Sequence, residues 1–154
     1  YASCGRTMGF NSGNLTEKIY PFMLPMLGYL KDVLGASTVD IMMADGRIEI
    51  VPFEVIRGRS FSKSFIICDE CQSTEVGEVQ ALTTRIGEDT KLVMCGDTRQ
   101  NDVKRGENGL SYIERIISSH PVRDSASMKF EIHDIVRHGI CRDLVEAFEK
   151  EGWA

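Results

Sequence analysis

A chain of 154 residues is, at about 100–200 residues per domain, a single domain spanning 1–154. Its apolar fraction of 42% and charged fraction of 27% supply a packed core and exclude wholesale disorder. The net charge of −5 excludes a generally basic nucleic-acid coat, although not a local basic groove. No run reaches the roughly eighteen apolar residues of a membrane span, and the N-terminus lacks a signal-peptide pattern, so no membrane partner is expected. The five cysteines are scattered at positions 4, 68, 71, 95 and 141. Odd in number, they do not read as a secreted disulfide framework, and a reducing, cytoplasmic setting is the expectation. The chain opens Tyr1-Ala2-Ser3-Cys4 with no initiator Met, which either processing or a longer reading frame would explain.

In chain order, the first segment reads as loop followed by helix. Ile19, Phe22, Met23, Met26, Leu27, Leu30 and Leu34 recur on one helical face, with Asn14 and Glu17 as a capping arrangement and Gly35 as the stop. Pro21 and Pro25 each remove an amide donor, which predicts that the regular helix begins only near Pro25. A short helix over Val39–Ala44 should end at the turn Asp45-Gly46, and Ile48–Val51 alternates like a short strand. Ser64–Cys68 and Lys91–Cys95 are continuous apolar runs of strand length. Between them Val76, Val79, Leu82 and Ile86 share one helical face, and Gly87 closes it. Strand, helix, strand within 64–95 is a βαβ unit with a right-handed crossover, and such strands are expected to be buried on both faces of a parallel sheet. Gly109–Ile117 and Asp143–Lys150 read as helices, with Lys129–Ile132 a strand between them. The fold class is α/β.

Ligands collect beyond the carboxyl ends of parallel strands. Here one strand runs into Asp69-Glu70-Cys71-Gln72 and the other into Gly96-Asp97-Thr98-Arg99-Gln100. If the strands are neighbours, Asp69, Glu70, Asp97 and Gln100 converge on one rim. An apolar strand ending in Asp-Glu is the Walker B pattern of metal-assisted phosphoryl transfer, in which the aspartate holds Mg²⁺ and the glutamate orients or deprotonates the attacking water. A Gln on the adjacent loop can bond the γ-phosphate or that water. Each piece alone is more simply a solvated acidic turn; the pair, separated by one helix, is what carries the reading.

Phe65-Ile66-Ile67-Cys68-Asp69-Glu70-Cys71-Gln72, Leu82-Thr83-Thr84-Arg85-Ile86-Gly87 and Lys91 through Gln100 resemble, in this order, the PhoH family of P-loop ATPases. So do Asp134-Ile135-Val136-Arg137-His138, the early Gly9-Phe10, Gly13, Leu15, Glu17-Lys18, Pro21 and Pro25, and Arg57-Gly58-Arg59. The resemblance covers nearly the whole chain. It implies a three-layer P-loop NTPase-like parallel sheet flanked by helices, incomplete on its N-terminal side. It also implies an ATP-binding core like that of superfamily-one helicases, common in bacteria and their phages, with RNA or single-stranded nucleic acid as a further partner.

On this resemblance Asp69 is the Mg²⁺-holding acid and Glu70 the catalytic base. Gln72 and Gln100 are polar sensors near the γ-phosphate, and Asp97 belongs to the nucleotide site. Arg137 is a phosphate-directed arginine acting within or between subunits of a homo-oligomer. Arg57 and Arg59 face phosphate or nucleic acid, with Lys63 completing the best basic patch; helix capping or carboxylate pairing is the structural alternative for these arginines.

The family's G-x-x-x-x-G-K-[ST] loop has no match in these 154 residues; Gly5-Arg6-Thr7 lacks the Lys. Without that loop nothing cradles the β- and γ-phosphates or balances their charge, so the chain is expected to be a C-terminal part that turns over no ATP alone. The alternative is a non-catalytic binding module that offers its acidic rim to a metal or protein.

Cys68-Asp69-Glu70-Cys71 is formally C-x-x-C. Redox use favours such a pair opening a helix, and two intervening acids should raise both thiols. Zinc needs a second ligand pair, which is missing. Cys68 and Cys95 read more simply as small buried hydrophobes. His133 and His138 are not spaced for one helical face, and a surface or capping role suits His138. Met23 and Met26 read as core, and Trp153 as packed on the body or frayed.

Overall fold

Leu15–Leu34 form one helix, α1, in the computed structural model of the chain, which describes residues 15–100, 103 and 106–152. The Asn14 cap, the Gly9-Phe10 and Gly13 landmarks, Gly5-Arg6-Thr7 and Trp153 lie outside the described residues. Contrary to expectation, α1 runs through both Pro21 and Pro25. The two are four residues apart and both exposed, so the carbonyls they leave without an amide partner lie toward water. Ile19 and Leu27 are buried, whereas Phe22 and Leu34 of the anticipated apolar face are exposed. Gly35 ends α1 at φ +86°, a conformation that favours glycine, and its carbonyl receives the Val39 N–H of the next helix, α2 (Ala36–Ala44). α1 and α2 pack together, and Lys31 Nζ meets Asp40 Oδ1 at 2.9 Å. The turn at Asp45-Gly46 forms as expected.

Ile48–Val51 is not a strand; it runs irregularly toward the short helix α3 (Phe53–Ile56). The expected alternation is present, but no second strand lies beside it among the described residues. β1 (Phe65–Cys68), α4 (Val76–Thr83) and β2 (Lys91–Met94) then build the βαβ unit. The strands are parallel and in register, Phe65 opposite Lys91 through Cys68 opposite Met94. Cys68 on β1 and Leu82 on α4 form the core with Phe53, Ile56 and Cys71, and Ile66, Leu92, Met94 and Leu110 pack against it.

The fold is thus α/β, with a two-stranded parallel sheet and helices packed on it. Burial on both faces is not observed. Phe65 is 64% and Ile67 44% exposed, because the helices that supply the core meet only the alternate residues Ile66 and Cys68.

The chain divides into two compact units, one through Ile113 and one from Glu114. Near the end of the first, α5 (Gly109–Ser119) starts against α4, where Gly109 N–H donates to Thr74 O at 2.8 Å. A Cβ at Gly109 would lie 2.1 Å from Thr74 Oγ1, so only glycine fits that contact. Asn108 Oδ1 accepts the Ser111 N–H and caps the helix. In the second unit Lys129–Ile132 forms no strand; Ile132–Asp134 is a 3-10 turn, closed by Glu131 N–H donating to Asp134 Oδ2 at 2.8 Å. It leads to α6 (Gly139–Lys150). No helix among the described residues is long and apolar enough to cross a membrane.

Leu82, buried at the sheet–helix contact, should lose about 2–5 kcal/mol on truncation to Ala, measured by urea unfolding. Phe65→Ala on the uncovered face should cost less than about 1 kcal/mol by the same measurement.

Candidate functional site

The parallel ladder does not stop where the strands do. Cys95 N–H donates to Cys68 O and Cys71 N–H donates to Cys95 O, each at 2.8 Å. These two bonds bring the segments after β1 and β2 side by side, so Asp69-Glu70 and Gly96-Asp97 share one end of the sheet, as the sequence led us to expect. Asp69 is exposed, and its Oδ1 accepts the Glu70 N–H at 3.0 Å. Glu70 holds φ +54°, ψ +40°, a left-handed conformation that costs a non-glycine residue about 1 kcal/mol or more. That reversal turns the chain from strand into the 3-10 turn Cys71–Ser73 and sends Gln72 inward.

Gln72 is 1% exposed, and both ends of its amide are engaged. Nε2 donates to Glu70 Oε2, and Oε1 accepts the Asp97 N–H at 3.2 Å. Gly96 lies directly against this amide. A Cβ there would sit 2.3 Å from Gln72 Oε1, 2.9 Å from Leu110 Cδ2 and 3.1 Å from the Cys71 nitrogen. The close approach of two backbones explains a glycine after an apolar strand.

Asp97 organises its own loop. Its Oδ1 accepts from Arg99 N at 3.0 Å and Arg99 Nε at 3.2 Å, and its Oδ2 accepts from Gln100 Nε2 at 3.2 Å. Burial pushes its carboxyl up, but the donors of Arg99 and Gln100 together outweigh that and hold it below the usual carboxylate range. In the first turn of α4, burial outweighs the hydrogen bond from the Glu75 N–H and pushes Glu78 up, and the charges of Glu75 and Glu54 add to this.

Hard oxygen donors at Asp69, Glu70 and Asp97 suit a magnesium-type ion more than zinc. Among the described residues no cluster of three acidic, His or Cys side chains converges as a metal cage. A cation at this rim would draw on the carboxylates of Asp69, Glu70 or Asp97.

Of the anticipated arginines, Arg57 and Arg59 belong to the first unit and Arg137 to the second. Arg59 is paired with Glu49 at 2.7 Å and stacks over Phe61, 5.4 Å from the ring centroid. Phe61 bridges Ile86, before both strands begin, so Arg59 stands at the end of the sheet opposite Asp69. Arg57 is exposed at the C-terminus of α3. Arg137 is exposed in the second unit, ahead of α6, and His138 caps that helix by accepting the Ile140 N–H at Nδ1, 3.4 Å.

The thiols depart from expectation in two respects. Cys68 and Cys71 are buried, with Cys71 Sγ donating to Cys68 O at 3.0 Å, but Cys95 is exposed, one residue past the paired strand. A hydrogen bond between the two thiols, separate from the one to the carbonyl, outweighs burial and holds the Cys68 thiol below its ordinary value, whereas that thiol–thiol bond and burial push Cys71 far up. The neighbouring acids therefore do not set both values.

Sequence reading missed the bridging position of Gln72 and the part played by Arg99. The signal for the first was Gly96, whose placement straight after an apolar run implies a close neighbour.

Because the folded-state pKa of Asp97 lies below its unfolded value, its contribution to stability is present above about pH 4 and is lost as pH falls through the folded value. Asp97→Asn should flatten the acid limb of the stability profile in that range, read by thermal unfolding from pH 6 to 2. Gly96→Ala should destabilise the chain by about 1–3 kcal/mol in chemical denaturation, since the obstructing atoms include backbone.

Comparison with known proteins agrees with this arrangement of motifs. The family described as "PhoH-like protein" matches residues 1–149. The PhoH-like protein of Bacillus subtilis is 32% identical over 148 residues, 96% of this chain and 46% of its own length. That of Synechocystis is 31% identical over 147 residues, 95% of this chain and 44% of its own. Protein PhoH of Escherichia coli K12 is 32% identical over 145 residues, 92% of this chain and 40% of its own. The chain thus spans about half the length, or somewhat less, of these relatives. With the match running through both acid-bearing loops and nearly from end to end, the chain belongs to the PhoH-like protein family.

Proposed function

We propose that this chain supplies the acidic half of an ATP-binding and ATP-hydrolysing site, with Mg²⁺, in a PhoH-type protein whose other half carries a Gly-rich Lys loop. The observation that supports this most is the joining of the Asp69-Glu70 and Asp97–Gln100 loops at one end of a parallel sheet by the Cys95–Cys68 and Cys71–Cys95 backbone bonds.

In this reading Asp69 is the Walker B acid. Its Oδ1 is committed to the Glu70 N–H, which fixes the carboxylate's direction and leaves Oδ2 for the ion. Bound there, Mg²⁺ would neutralise charge building on the phosphate oxygens. Glu70, lifted out of the strand by its left-handed backbone, holds or takes a proton of the attacking water. Gln100, tethered through Nε2 to Asp97, keeps its Oε1 side for that water or the γ-phosphate. Arg137 enters on its motif and its exposure, as the cation directed at the phosphate chain. A nucleic-acid role for the full-length protein, RNA or another single strand, draws on the exposed Arg57 and on Lys63. Arg59 joins them only by leaving Glu49.

The test uses a protein of the relatives' full length that joins this segment to a Gly-x-x-x-x-Gly-Lys-Thr/Ser loop. Mg²⁺-dependent phosphate release is expected, falling roughly 100-fold or more in kcat for Glu70→Gln with ATP still bound. Asp69→Asn should abolish the Mg²⁺-dependent release, and the 154-residue chain alone should release no phosphate. Asp69-dependent hydrolysis by the short chain, or full activity in both variants, would overturn the proposal. Mg²⁺ binding without nucleotide binding would instead favour a non-catalytic acidic module. Loss of RNA affinity and of its salt slope on joint Arg57→Ala and Arg59→Ala substitution would support the basic patch; unchanged values would remove it.

A further inference from the structure

The amide of Gln72 is buried and bonded at both ends. It is 1% exposed, its Nε2 reaches Glu70 Oε2, and its Oε1 receives the Asp97 N–H. From Asp97 the same network continues through Oδ2 to Gln100 Nε2. The groups at its two ends are the acid meant to handle water and the amide meant to meet the γ-phosphate. We propose that Gln72 is a positioning residue that couples the Asp97–Gln100 loop to the Glu70 carboxylate, so that the state of one loop sets the aim of the acid on the other. This rests on the nucleotide-hydrolysis reading above and deepens it: Gln72, assigned by resemblance to the phosphate, acts instead through Glu70 and Asp97.

Three features argue that the link is built rather than incidental. A glutamine has the length to engage both partners at once, whereas asparagine is one methylene too short. Gly96 has no side chain where the amide lies, and any Cβ there would displace it. The backbone on both sides is fixed, by Cys71 N–H to Cys95 O on one and by Gln100 N–H to Asp97 O, 3.1 Å, on the other. Movement at Gln100 therefore passes into the Asp97 backbone, and from there into the side chain that bonds Glu70.

Two variants separate the halves of the link. Gln72→Ala removes both bonds. Gln72→Glu keeps an oxygen for the Asp97 N–H but sets a carboxylate against Glu70. In the 154-residue chain, amide hydrogen exchange at Asp97 should quicken roughly tenfold or more in Gln72→Ala and stay near the starting value in Gln72→Glu. Gly96→Ala should quicken the same exchange in the natural background and add nothing once Gln72 is Ala. In the full-length protein both Gln72 variants should lower kcat by roughly 10–100-fold with the ATP KM within about twofold.

A raised KM at unchanged kcat would make Gln72 a nucleotide contact and overturn the proposal. So would additive effects of Gly96→Ala and Gln72→Ala on Asp97 exchange. If the natural full-length protein hydrolyses no ATP, the functional reading fails by itself, and the exchange data still decide whether Gln72 ties the two loops together.

Discussion

Everything placed at the acidic rim depends on the parallel register of β1 and β2. Cys68 opposite Met94 makes Cys95 the next residue in the ladder, and Cys95 then bonds backward to Cys68 and forward to Cys71. A slip of one residue would turn Ile66 and Cys68 out of the core and replace them with Phe65 and Ile67, so burial locks the alignment. With the alignment locked, the two polar loops have no freedom to separate. The chemistry at the strand ends is thus held in place by hydrophobic packing on one face of the sheet.

Within that frame, a few small devices replace a larger scaffold. A left-handed Glu70 reverses the chain in a single residue, a missing side chain at Gly96 lets two backbones meet, and a buried amide fills the space between them. Asp97 carries its own counter-charge in Arg99, two residues on, so this carboxylate stays ionised beside Asp69 and Glu70. Glu78 accepts the Glu75 N–H at 2.8 Å, but burial, with the charges of Glu75 and Glu54, outweighs that bond and moves its carboxyl the opposite way.

Much of this was legible from residue patterns. The apolar runs at 65–68 and 91–94, the helix between them and the acid-bearing loops give the βαβ unit and its carboxyl end directly, because period and turn residues are local signals. What was not legible depends on neighbours far away in the chain. The sequence of β1 promised two covered faces, but coverage is a property of what packs on the strand, and Phe65 and Ile67 stay in solvent. The prolines at 21 and 25 argue locally for a break, yet both fall on the water side of α1, where a lost amide costs less. Carboxylate pairing was one of the readings open for Arg59, but nothing in its own stretch announces Glu49, ten residues back, as the partner. Ile48–Val51 and Lys129–Ile132 alternate like strands, but a strand needs a neighbour to hydrogen-bond, and periodicity does not provide one.

The backbone at Glu70 sets two pressures against each other. Its φ of +54° belongs to the region where glycine is at ease and a carboxylate-bearing residue is not. Glycine at this position would relax the backbone but would leave the buried Nε2 of Gln72 without the oxygen it bonds. The side chain thus offsets locally the strain its own backbone carries, and a library sorted for thermal survival would weigh those two terms against each other at a single residue.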